Sequence, residues 1–158
     1  MYMYGEKLGA GPAEREWLKS LVDVIVSVYP PAGTVPWRLN PRLSRALGRC
    51  VADGAGIPAS IEINENYLCL CYRMEVLGLL TVAGIRGDLM GTLVHEAAHL
   101  EHFDHGPGFR LAERRLGKLV RAKMANPEAA EVLAAARMSA AGKPASPRQG
   151  ELDFCGSP

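Results

Sequence analysis

The stretch 95-HEAAHLEHFDH-105 holds all four histidines of the 158-residue chain, His95, His99, His102 and His105. Its first five letters have the form H-E-x-x-H. On a helix, residues four apart lie on one face, so the imidazoles of His95 and His99 can point at a single metal ion. Glu96 sits about 100° round the same helix, near enough to serve a reacting water as general base without being a ligand. His102 lies about 10 Å along the axis from His95, too far for both to meet zinc at about 2.0–2.1 Å. The helix must therefore end and fold back, and Gly106-Pro107-Gly108 supplies the stop, which leaves His105 at the turn as the third ligand. Glu113, further along, is the alternative third ligand. His102 is read as a residue behind the ligands or at the surface, and Asp104 or Glu101 as a group that orients a ligand imidazole through its other nitrogen. Three histidines leave a fourth position open for water, the pattern of a catalytic rather than a structural zinc.

Working outward, Asp88 caps the metal helix, which is expected to run to about Phe103 along the apolar positions Leu89, Leu93, Val94 and Leu100. Upstream, Pro12 begins an amphipathic helix with the stripe Trp17, Leu18, Leu21, Val22, Ile25 and Val28, stopped by Pro30-Pro31. The alternation in 43–52 reads as a strand, although Asn40-Pro41 could equally begin a helix, and Ile61 and Ile63 between Glu62 and Asn64 read as a strand too. The apolar run 67-YLCLCY-72 reads as a further strand, which would put Cys69 and Cys71 on one core-facing side. The fold class is thus α+β, with a small sheet ahead of the metal helix.

Residues 12–141 form the expected domain, after a flexible 1–11 and before a polar tail, 142–158. A hydrophobic fraction of 48% suffices for one core, and a net charge of +1 is uninformative. The four cysteines show no C-x-x-C spacing, so neither a zinc ribbon nor a disulfide framework is indicated. No segment has the length of a membrane span, and the first residues lack the basic-then-apolar order of a signal peptide. A cytoplasmic protein without a membrane partner is expected, associated with the nucleoid if it is bacterial.

With these elements placed, 45-RALGRC-50, 61-IEIN-64, 92-TLVHEAAH-99 and 105-HGPGF-109 resemble the SprT-like family, which includes the Spartan proteases. The likeness spans roughly residues 15–125. It implies a zincin-like metalloprotease domain with the sheet beside the HExxH helix, one catalytic zinc on His95, His99 and His105, and Glu96 as the catalytic carboxylate. It also implies protein substrates crosslinked to DNA. The chain departs from the family in a short gap between the second and third histidine and in having no cysteine zinc ribbon behind the domain.

Two features bear on partners. From 106 to 125, Arg110, Arg114, Arg115, Lys118, Arg121 and Lys123 stand against Glu113 alone, a local charge of +5 that leaves −4 for the rest. Arg110, Arg114, Lys118 and Arg121 recur at helical spacing opposite Phe109, Ala112, Leu116 and Leu119. That stripe suits the phosphates of single-stranded or junctional DNA, and a solvated helix face is the plainer reading. An alanine-rich helix is expected over roughly 127–141. Beyond it, 149-QGELDF-154 has the form Q-x-x-L-x-F and resembles the peptides by which bacterial replication and repair proteins bind the sliding clamp, with Gln149, Leu152 and Phe154 as contacts. The expected function is a zinc metalloendopeptidase acting on protein near DNA. The alternatives are a regulatory zinc peptidase with no DNA role, and a DNA- or clamp-binding adaptor whose zinc is structural. Tyr67, Tyr72 and several arginines are the only guesses for a group that would stabilise the oxyanion.

Overall fold

The computed structural model describes residues 8–78 and 88–128, together with Glu131 and Ala135. Within them the chain is α+β, with four helices and one three-stranded sheet. Helix α1 spans Pro12–Val28, with the fixed φ of proline at its first position and the Glu14 carboxylate returning to the Gly11 N–H at 3.0 Å. A short 3₁₀ turn, Pro30–Gly33, follows. Strands β1 (Trp37–Asn40), β2 (Gly48–Ala52) and β3 (Pro58–Asn64) come next, then α2 (Glu65–Glu75), α3 (Leu89–Ala98) and α4 (Pro107–Met124).

The sheet order is β1-β3-β2, with β3 central, parallel to β1 and antiparallel to β2. Ile61 and Ile63 on β3 turn inward and are fully buried in the core that also holds Trp17, Leu18 and Ile25 of α1 and Leu89 and Leu93 of α3. Each such side chain contributes roughly 1.5–3 kcal/mol by leaving water. On the opposite face of β3, Glu62 registers with Arg38 on β1 and Arg49 on β2. It accepts hydrogen bonds from Arg49 Nε at 2.8 Å and Asn40 Nδ2 at 2.6 Å. β2 is an edge strand, and it packs beside α3.

Three expectations are corrected. Residues 67–72 are helical, not a strand: Asn64 accepts the Tyr67 N–H at 3.1 Å as an N-cap, Glu65 occupies the first turn, and the buried positions Tyr67, Leu68, Cys71 and Tyr72 follow the helical period. Cys69 and Cys71 are both buried, but two residues apart on a helix they face different sides: Cys69 Sγ meets the Leu8 carbonyl at 3.9 Å and Cys71 lies beside Tyr67. The strand expected over 43–52 is confined to Gly48–Ala52. The metal helix stops at Ala98 rather than near Phe103, its last turn tightened by three-residue hydrogen bonds from the N–H groups of His99, Leu100 and Glu101 to the carbonyls of Glu96, Ala97 and Ala98. No helix among the described residues is long and apolar enough to cross a membrane.

Candidate metal centre

Helix α3 starts where Asp88 accepts the Gly91 N–H at 2.9 Å, and its Leu89 and Leu93 anchor it in the core. That anchoring fixes the rotation of the helix, which directs His95 and His99 towards α4. The tightened end at residues 99–102 then reverses the chain, and Gly106-Pro107 begins α4 with proline at its first position. The reversal brings His105 back over the two helical imidazoles. The Nε2 atoms of His95 and His105 are 3.1 Å apart, and one ligand nitrogen from each of His95, His99 and His105 lies within 4.8 Å of the others.

The donor set fits a metal ion. Tetrahedral ligands about 2.05 Å from a zinc are separated by roughly 3.3 Å, close to the His95–His105 spacing. The outer nitrogens of the two helical histidines are already engaged. His95 Nδ1 faces Glu113 Oε1 at 2.8 Å, and His99 Nδ1 faces the His102 carbonyl at 3.0 Å. Carboxylates and carbonyls only accept, so in the neutral form of each ring Nδ1 carries the proton and Nε2 presents its lone pair to the cluster. Phe109, 2% exposed, closes the site from below: its ring centre is 4.9, 4.4 and 4.8 Å from those of His95, His99 and His105. Burial lowers the pKa of His99, and the neighbouring His95 and His105 charges add to it against the His102 carbonyl.

Glu96 is 5% exposed and lies under the edge of β2. Burial pushes its carboxyl up to about 7, opposed by the His95 charge and by the Cys50 backbone N–H, which donates to it. Gly48 makes this arrangement possible: a Cβ there would meet Glu96 Cγ at 2.8 Å and Oε1 at 3.0 Å. Cys50, half-buried above the same carboxylate, has its thiol raised to about 11, by burial first and by the Glu96 charge second.

His95, His99 and His105 are thus brought together with Glu96 beside them. Glu113 stands on the outer nitrogen of His95, outside the cluster of donor atoms. Glu101 orients no imidazole. It pairs with Arg115 and accepts from the Tyr29 hydroxyl, which ties the turn to α4 and to the end of α1. Asp104 is exposed, and His102 contributes its carbonyl while its ring lies over Gly108. Tyr67 and Tyr72 are core residues, the first bonded to Thr92 Oγ1 at 3.2 Å and the second packed edge-on against Trp17.

On α4, Arg110, Arg114, Lys118 and Arg121 are all exposed, and Phe109, Ala112, Leu116 and Val120 form the buried face. Leu119, expected on that buried face, is instead 44% exposed, because Val120 takes the inward position one residue on. Gln149, Leu152 and Phe154, and nearly all of the helix expected over 127–141, lie outside the described residues.

Sequence reading missed the Gly48 and Cys50 backbone at Glu96, the two acceptors that orient His95 and His99, and Phe109 as the floor. Phe109, Gly48 and Cys50 had a signal only as letters of the segments 105-HGPGF-109 and 45-RALGRC-50, and Glu113 only as the alternative third ligand. No family model matches the chain, and no curated protein or solved structure matches it.

Proposed function

We propose that this chain is a zinc-dependent metallopeptidase of SprT-like, zincin-like type that cuts proteins crosslinked to or held on DNA. The observation that carries the reading is the convergence of three imidazole nitrogens on one point, with two lone pairs already aimed there and a carboxylate on the adjoining helical position. His95, His99 and His105 would hold the ion. When bound there, zinc supplies a water of lowered pKa and a Lewis acid for a carbonyl oxygen. Glu96, steadied by the Cys50 N–H, takes the proton of the attacking water and returns it to the leaving amine. Three protein donors leave the open position that a catalytic ion needs, which favours this reading over a structural zinc in an adaptor.

The exposed cations of α4 support the choice of substrates on DNA, since α4 also carries Phe109 and Glu113 of the metal centre. A strand following Arg110, Arg114, Lys118 and Arg121 would run beside the site. The test is gel cleavage of a protein crosslinked to DNA by the zinc-loaded wild type and by Glu96→Gln, each with and without free single-stranded DNA. Cleavage that is lost in the variant and raised by DNA is the expected result. A wild type that binds zinc and leaves the crosslinked protein intact overturns the assignment.

A further inference from the structure

Glu113 is held against His95 by elements that converge only in the folded chain: His95 lies near the end of α3, and Glu113 one turn beyond Phe109 on α4. The 2.8 Å contact joins Oε1 to Nδ1, the nitrogen facing away from the other two histidines. His99 has only the uncharged His102 carbonyl in the corresponding place. His95 is therefore the helical ligand with an ionic acceptor behind it.

We propose that Glu113 is a positioning residue for the metal: it fixes the tautomer and ring plane of His95 and strengthens Nε2 as a donor. A carboxylate on Nδ1–H draws the proton towards itself, which raises electron density at the opposite nitrogen. Such partners typically account for 10–100-fold in metal affinity. The charge and the reach are both needed. Glutamine keeps an acceptor oxygen at the same reach and loses the charge, whereas alanine loses both. The inference rests on the three-histidine metal site alone and not on the reaction proposed for it.

The experiment is zinc affinity by competition with a chromogenic chelator, at one fixed pH, for the wild type, Glu113→Gln and Glu113→Ala. Thermal unfolding of each chelator-stripped protein and the visible spectrum of its cobalt form accompany it. Expected is a 10–100-fold loss of affinity in Glu113→Ala and a smaller loss in Glu113→Gln. The cobalt spectra should shift while keeping the four-coordinate form, and the stripped proteins should melt together. Wild-type affinity in Glu113→Ala overturns the proposal, as does an affinity loss matched by an equal loss of stripped-protein stability. A cobalt spectrum that reports one donor fewer also overturns it, by making Glu113 a ligand. A wild type without zinc affinity overturns the metal site itself, whereas one that binds zinc but cuts nothing overturns only the peptidase reading.

Discussion

Gly48→Ala isolates the contact between β2 and the Glu96 carboxylate. The glycine is not held at positive φ, so alanine can adopt its backbone, and the whole cost is steric. The new methyl would lie 2.8 Å from Glu96 Cγ and 3.1 Å from Cδ, where ordinary contact begins at 3.4 Å. Cγ is one bond from a Cβ fixed on α3, so the conflict cannot be relieved by swinging the carboxylate tip alone. Either the Glu96 side chain leaves its rotamer or β2 is pushed off α3. Overpacking of this kind costs about 1–3 kcal/mol, or roughly 2–12 °C of melting temperature for a chain of this size. A displacement near 1 Å at a catalytic group costs about 100-fold in rate. The imidazole cluster is untouched, so zinc affinity should match the wild type. The assay pairs cleavage at saturating zinc with chelator competition, for wild type, Gly48→Ala and Glu96→Gln. Wild-type cleavage by Gly48→Ala would refute the claim that the Gly48 gap sets the position of Glu96.

Four other outcomes are expected. His105→Ala should abolish tight zinc binding, and the wild type should lose the stabilisation that zinc confers, about 2.7 kcal/mol at a hundredfold excess over Kd, when a chelator is added during a melt. Phe109→Ala, which empties the floor beneath all three imidazoles, should cost about 3–5 kcal/mol in chemical denaturation and weaken zinc binding as well. Arg114→Glu with Lys118→Glu should lower the dependence of log K for single-stranded DNA on log salt by about 1.4, and an unchanged slope would remove α4 from the DNA interface. Glu62 gives a pH test. Burial alone would raise its pKa, but the bonds from Asn40 and Arg49 and the neighbouring arginine charges outweigh burial and hold it below its ordinary 4.5. A depressed carboxylate stabilises the fold above the unfolded value and loses that contribution as pH falls below it. The advantage of wild type over Glu62→Gln, about 0.5–1 kcal/mol for so exposed a pair, should therefore be full above pH 5 and fade on acidification through 4.5, as read by melting temperature.

What was legible in the sequence is what local geometry determines. The H-E-x-x-H spacing and the Gly106-Pro107-Gly108 stop act within a dozen residues, and the three imidazoles they concern do meet. The amphipathic stripe of α1 is of the same kind. The 67–72 segment failed because tyrosine, leucine and cysteine alternate there with no polar residue to reveal a period, and such a run is compatible with a buried strand or a buried helix. Its deciding signal was outside the run, in the Asn64 cap and Glu65. The end of α3 failed for another reason: the His99 side chain bonds the His102 carbonyl, so a side chain of the histidine cluster also helps to terminate its own helix, which propensity does not register.

The groups that tune the site share a different property. Glu113 is 18 residues from His95, and Gly48 is 48 residues from Glu96. Each reaches its target only after α4 has folded back on α3 or β2 has paired with β3. A motif can name the imidazoles that meet in the cluster because they sit on one helix and its turn. It cannot name the carboxylate behind His95 or the gap that admits Glu96, because those are products of packing between elements. The proposed metal centre is therefore built in two layers. An inner layer of His95, Glu96, His99 and His105 is written in one stretch of eleven residues. An outer layer of Gly48, Cys50, Phe109 and Glu113 is assembled from β2 and α4. Substitutions in the inner layer should remove metal or chemistry outright. Those in the outer layer should grade it, Glu113 through affinity and Gly48 through rate, and that division is what the paired affinity and cleavage measurements separate.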